Sequence, residues 1–116
     1  MKIRKYKGIC EESFSEICGY LIFEENESLY YIDKYIPEMG CNIKYCVIPE
    51  TISQSTGEFD KNNNEVFEND DVKFYMSGKP HICKIIYKYG MHCLLHKDGY
   101  VNHYPIEFKN MEIVKL

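Results

Sequence analysis

Val72-Lys-Phe-Tyr-Met76, Ser77-Gly-Lys-Pro80, His81-Ile-Cys-Lys-Ile-Ile-Tyr-Lys88, Tyr89-Gly90, Met91-His-Cys-Leu-Leu-His96, Lys97-Asp-Gly99 and Tyr100-Val-Asn-His-Tyr104 follow one another without a break. This stretch decides the fold class. Its apolar segments are about five residues long, rich in β-branched and aromatic side chains, and separated by glycine-bearing turns. Val72 to Met76 reads as a strand and Ser77 to Pro80 as a turn. Ile82, Ile86 and Cys83, Ile85, Tyr87 mark a long strand with both faces partly buried. Tyr89-Gly90 turns the chain and Met91 to His96 returns. Asp98-Gly99 fits a tight hairpin into Tyr100 to Tyr104. Pro105 to Asn110 is a connector, and Met111 to Lys115 closes the set. Short strands at this spacing predict a small, strongly bent sheet or barrel.

Working outward, the N-terminal half reads as strands joined by loops. Ile3 to Lys7 is a strand that Gly8 ends. Glu11 to Ile17 is a loop or a single helical turn. Gly19 to Phe23 and Leu29 to Asp33 form a hairpin around Glu24 to Ser28. Pro37 to Asn42 breaks structure, and Lys44 to Ile48 is a strand stopped at Pro49, which removes a ladder donor. The expected class is mainly β (a β-rich α+β chain), with an N-terminal hairpin region followed by the bent barrel. One domain over 1–116 accounts for the length; a subdivision into 1–52 and 53–116 has its boundary between Pro49 and Asp70.

The chain has 116 residues and a formal charge of −4, from 14 basic and 18 acidic side chains. That balance argues against a dedicated nucleic-acid binder, which needs a basic face. The start carries charge with no apolar run behind it, and the longest apolar stretch, Ile17 to Phe23, is far short of a membrane span. The expectation is a cytoplasmic protein with no membrane partner. Six cysteines contain no Cys-x-x-Cys pair, so thiols rather than disulfides are expected. The 11 tyrosines, 6 phenylalanines and absence of tryptophan suit half-buried strands and an interface.

Candidate chemical sites fare poorly against plainer readings. Asp60-Lys-Asn62-Asn-Asn64-Glu65 begins like a calcium loop, but Glu65 stands where glycine is required and Asp71 where a bidentate glutamate is. A polar turn capped by its own Asx side chains fits better. A zinc site from Cys83, Cys93 and histidines 81, 92 and 96 fails because His92 and His96 share one strand face while Cys93 takes the other. Cys93 is then expected in the core, with the histidines outward or satisfied at the surface. Cys93 as a nucleophile lacks a base. Glu11-Glu12, Glu24-Glu25 and Glu27 read as solvated turns, and no glycine-rich phosphate cradle exists. No catalytic residue, metal or cofactor is assigned, and no enzyme is expected. Lys84, Lys88, Lys97 and Lys109, interleaved with Tyr87, Tyr89, Tyr100 and Tyr104, offer a single-stranded nucleic-acid surface. Ordinary surface lysine beside structural tyrosine is the preferred alternative at this net charge.

The segment before the barrel carries a more specific pattern. Pro49-Glu-Thr-Ile-Ser-Gln54, then Thr56-Gly57, Asp60-Lys-Asn62, Glu65-Val-Phe-Glu-Asn-Asp70 and Val72-Lys73 resemble the signature of the YopX family of phages, prophages and their bacterial hosts. Lys2 to Gly8, Gly19 to Ile22 and Asn110 to Val114 resemble its outer strands. The signature positions are Pro49, Glu50, Thr51, Gln54, Thr56 and Gly57, followed by Asp60, Glu68, Asn69 and Asp70. Thr56-Gly57 and Asp60 to Asn64 are expected to turn the chain, and Glu68-Asn69-Asp70 to lead it into the barrel. Asn63 and Asn69 replace glycines of the signature; asparagine tolerates the left-handed region those turns need. Glu58 and Phe59 replace its leucine and lysine, and Asp71 an apolar residue. The resemblance implies a C-terminal barrel of the Src-homology (SH3-like) kind, a homo-oligomer, the host cytoplasm, and no known reaction. A non-enzymatic phage-type accessory protein that acts by binding is therefore expected. The alternatives are single-stranded nucleic-acid binding by the barrel and counter-defence against a host protein or nucleotide.

Overall fold

The computed structural model describes residues 5–102 and 106–115. Ile3 and Arg4 of the expected first strand, and Tyr104 and Pro105 near the last hairpin, lie outside them. The protein is mainly β, with antiparallel pairing throughout; among the described residues its only helices are two 3-10 turns. No helix among them is long and apolar enough to cross a membrane. The chain divides into two compact units, Met1–Gln54 and Ser55–Leu116.

The first unit contains β1 (Tyr6–Ile9), β2 (Glu16–Glu24), β3 (Leu29–Ile36), β4 (Cys41–Cys46), a 3-10 turn at Pro49–Thr51, and the first residues of β5 (Ser53–Phe59). Their hydrogen-bonded order is β4-β3-β2-β1-β5. Its core gathers Cys10, Ile17, Ile32 and Val47, with Leu21, Tyr30, Tyr45 and Ile52 packed against them. Burying an aliphatic side chain of this kind contributes about 1.5–3 kcal/mol. The small core explains two glycines. β1 runs on through Gly8 instead of ending there, and glycine suits that place because a Cβ would crowd Ile32 and Val47 at 3.3 Å. Gly19 is tighter still: a Cβ would fall 2.3 Å from the Asp33 carbonyl oxygen on β3. β2 and β3 are longer than their apolar patterns: Glu24 pairs with Leu29 across the hairpin, Glu16 with Ile9 on β1, and Ile36 with Cys41 on β4.

The second unit holds the rest of β5, β6 (Glu65–Phe67), β7 (Asp71–Met76), β8 (Lys79–Lys88), β9 (Met91–Leu95), β10 (Val101–Asn102), a 3-10 turn at Phe108–Asn110, and β11 (Glu112–Val114). β5 pairs with β6, and a five-stranded sheet runs β10-β9-β8-β7-β11. Val66, Val72, Cys83, Ile85, Leu94 and Met111 form its core. β9 is buried on both sides, with Cys93 and Leu94 both out of solvent on opposite faces. Lys79 and Pro80, read as a turn in sequence, extend β8; Pro80 sits across from Tyr75.

Two expectations need correction. The outer strands β10 and β11 do not pair with each other among the described residues, so the sheet is not closed into a barrel. Thr56-Gly57 is not a turn. Both lie inside β5, where Gly57 adopts φ +79° and the register shifts between Ser55 and Phe59. Glycine here absorbs a β-bulge, a kink that keeps the strand going.

Candidate functional site

The signature residues are occupied in holding the chain in shape. Pro49, Glu50 and Thr51 make up the 3-10 turn. Thr51 Oγ1 accepts from the Ile9 backbone N–H at 2.8 Å and donates to the Ile48 carbonyl at 2.6 Å. Gln54 pairs with Tyr6 on β1. Thr56 Oγ1 donates to the Val66 carbonyl at 2.8 Å and accepts from Glu58 N–H at 3.1 Å. The Ser55 hydroxyl donates to Glu65.

Asp60 is the most heavily engaged of them. It is only 4% exposed. Its Oδ1 accepts from the N–H groups of Asn62 at 3.0 Å and Asn64 at 2.8 Å, and its Oδ2 from that of Ile113 on β11 at 3.0 Å. Burial alone would raise its pKa. The Ile113, Asn64 and Asn62 donors outweigh burial and hold the carboxyl below its ordinary value. The calcium-like turn is thus an Asx-capped loop whose acid faces backbone amides, with Asn63 left-handed at φ 63°.

Glu68-Asn69-Asp70 forms the next turn. Asp70 Oδ2 accepts from Phe67 N–H at 2.8 Å, Asn69 N–H donates to the Ile85 carbonyl at 2.7 Å, and Ile85 N–H returns to the Asp70 carbonyl at 2.9 Å. Asn69 has φ 73°. Glu68 points to His92, with Oε1 and Nε2 3.2 Å apart at a half-buried position.

The histidines and cysteines of β8 and β9 are placed by register. Lys84 pairs with Leu95, which sets Cys83 across from His96. The Cys83 sulfur lies 3.3 Å from His96 Nδ1. His96, half-buried, therefore meets a buried thiol. Burial, then the charge of Asp98, pushes the Cys83 thiol up. A thiol kept protonated is a hydrogen-bond donor to imidazole and a poor nucleophile. Cys93 is buried on the other face, against the Lys88 and Met91 carbonyls. Among the described residues no group of three or more His, Cys, Asp or Glu side chains could hold a metal ion.

The lysine and tyrosine set singled out in sequence is dispersed. Lys84 is engaged by Asp71 at 3.5 Å and the Asn69 carbonyl at 3.2 Å. Lys88 lies over the Tyr89 ring, and Tyr87 packs edge-on against His92. Lys109 lines a cavity of about 410 Å³ with Glu58, Ile106 and Phe108.

Lys97 belongs to a different feature, which the sequence does not reveal. β8 pairs with β7 over Lys79–Lys84 and with β9 over Lys84–Lys88. The two ladders lie on opposite edges of β8 and overlap at Lys84. A crevice of about 590 Å³ has Lys73, His81, Ile82, His96, Lys97 and Asp98 in its lining. Two of its lining side chains are rings, His81 and His96. Phe74 and His81 stack at 5.7 Å, His81 and His96 meet edge to face at 6.5 Å, and His96 and Tyr100 tilt together at 5.4 Å. Phe74 packs against the core of this unit, and His96 and Tyr100 share the connector between β9 and β10. No protein-family model and no curated protein matches this chain.

Proposed function

We propose that this chain is a non-enzymatic binding module that associates with copies of itself through the sheet of its first unit. The outer face of that sheet carries the argument. The β2–β3–β4 register places Tyr20 and Tyr35, both exposed, on that face beside half-buried Cys18, Ile22 and Tyr31. Polar cross-strand contacts run among them: Asn42, across from Tyr35, to Asp33 at 2.9 Å, and Lys44, over the Tyr31 ring, to Glu24 at 3.1 Å. Exposed tyrosines interleaved with polar pairs suit a protein interface, where tyrosine is enriched. β4 pairs with β3 alone among the described residues, and an open edge invites a further strand. The absence of catalysis is supported by the signature side chains Thr51, Thr56, Asp60 and Asp70, all spent on backbone hydrogen bonds. Likeness to the YopX signature adds a phage or prophage accessory role in the host cytoplasm. Size-exclusion chromatography with light scattering tests the reading. The full chain should run as a defined oligomer, and Tyr35→Ser with Tyr20→Ser should shift it to monomer. A wild-type chain that stays monomeric at high concentration refutes it.

A further inference from the structure

We propose that two copies of this chain join edge to edge along β4, antiparallel about a two-fold axis at Ile43. The inference rests on the self-association read above and names where the copies meet. Backbone direction carries it. Just past β4, the Val47 N–H donates to the Tyr30 carbonyl of β3 at 3.0 Å. Alternate residues of a strand turn their N–H and C=O to opposite edges. Tyr45, Ile43 and Cys41 therefore face β3, and Asn42, Lys44 and Cys46 face away. The Cys46 carbonyl agrees with this: it accepts from the Glu11 N–H at 2.9 Å, on the side away from β3. Asn42 and Lys44 thus present both backbone groups on an edge where no strand pairs with β4 among the described residues.

The other sheet edges are closed or short. At β11, the Ile113 N–H is taken by the Asp60 carboxylate and the Met111 carbonyl by the Lys61 N–H. At β6, Phe67 gives its N–H to Asp70 Oδ2, and its carbonyl accepts from the Asp70 N–H. β10 is two residues long. β4 has six residues and an unbroken register with β3.

A second copy fits this edge because the edge complements itself. With Asn42 opposite Lys44 of the other copy, the two exchange N–H···O bonds, and the two-fold repeats the exchange. Every free backbone group of both residues is then used. Ile43 meets its own counterpart, and Cys41 meets Tyr45, on the sheet face that carries Ile32. Gly40, which has no side chain, comes toward Glu11 of the other copy. Lysine on an edge commonly blocks such pairing. Here Lys44 leans back over β3: its Nζ lies 4.4 Å from the centre of the Tyr31 ring and 3.1 Å from Glu24 Oε1 on β2, which turns its charge from the seam.

Two measurements on the full chain test this. At the axis, Ile43 and its counterpart form a pair without mutual hydrogen bonds, with Cα atoms about 4.5 Å apart, inside the roughly 4.4–6.8 Å that a disulfide spans. In a Cys41→Ser background, which removes the exposed thiol, Ile43→Cys should give a covalent dimer on mild oxidation. Mass spectrometry should find the 43–43 linked peptide. Glu25→Cys in the same background, in the exposed β2–β3 turn, should give none. Asn42→Pro removes a donor that faces the free edge and none that faces β3. It should keep the β circular-dichroism spectrum and halve the particle mass in light scattering. A monomeric wild-type chain overturns the inference together with the self-association it rests on. An oligomer that yields no 43–43 link, links equally through Glu25→Cys, or persists in folded Asn42→Pro overturns the β4 seam alone. Association through the tyrosine face then stands if Tyr20→Ser with Tyr35→Ser still dissolves it. Should Asn42→Pro fail to fold, the cross-link decides.

Discussion

Replacing Asp60 should unfold the second unit more readily than any other change of a single polar side chain in the signature segment. Asp60 is almost fully buried and accepts from three backbone N–H groups, those of Asn62, Asn64 and Ile113. A hydrogen bond to a charged group is worth about 1.5–3 kcal/mol, and an orphaned buried donor costs about 1–3 kcal/mol. The Asn62 and Asn64 donors sit in an exposed turn and can recruit water; the Ile113 donor is half-buried. Asp60→Ala should therefore cost about 3–5 kcal/mol, a large share of the ~5–15 kcal/mol available to a domain. Asp60→Asn keeps one acceptor oxygen and turns an amide N–H₂ toward a backbone donor, for a cost of about 2 kcal/mol. In urea, with a slope near 1.5 kcal/mol per molar, the alanine variant should lose about 2–3 M in midpoint.

The pH dependence has a definite sign. The folded carboxyl titrates below its ordinary value, so its stabilisation is complete above the unfolded pKa of about 3.9 and is lost as pH falls through the lower folded value. Asp60→Asn should flatten that acid limb. An alanine variant within about 1 kcal/mol of wild type, or an unchanged acid limb, would refute the role given to this residue.

Three further outcomes are expected. Gly19→Ala should lower the stability of the first unit by about 2–3 kcal/mol in thermal unfolding, because the added methyl meets the Asp33 carbonyl. Gly8→Ala, with 3.3 Å contacts to side chains only, should cost less, and the reverse order would contradict the β1–β2–β3 packing. Under native conditions iodoacetamide should label exposed Cys41 quickly, while Cys83 and Cys93 wait for unfolding; mass spectrometry of timed samples reads this. Tyr31 donates to Glu27 at 2.7 Å, and this bond, with some burial and nearby charge, pushes its phenol up to about 12. In an NMR titration Glu27→Gln should bring it back toward the usual value near 10.

Much of the architecture was legible because β structure writes itself locally. Alternation and glycine turns located β7, β9 and the β2–β3 hairpin, and proline at 49 marked the end of pairing after β4. The misreadings share one cause. Gly8 and Gly57 looked like punctuation, yet one makes room for Ile32 and Val47 and the other absorbs a bulge. A glycine's meaning depends on what approaches it, and that is set by other strands. The candidate site was legible only in fragments. Face alternation put Cys93 opposite His92 and His96, but nothing local could say that His96 would meet Cys83.

The sequence by itself determined the mainly β class and the turn chemistry of Asp60 to Asn64 and Glu68 to Asp70. Each follows from periodicity or from the donor and acceptor character of neighbouring side chains. Only the tertiary structure decided the open sheet, the two separate cores, and the crevice lined by His81 and His96. Those depend on which strands flank β8 and in what register. Pairing of that kind is set by long-range register, which no window of residues contains.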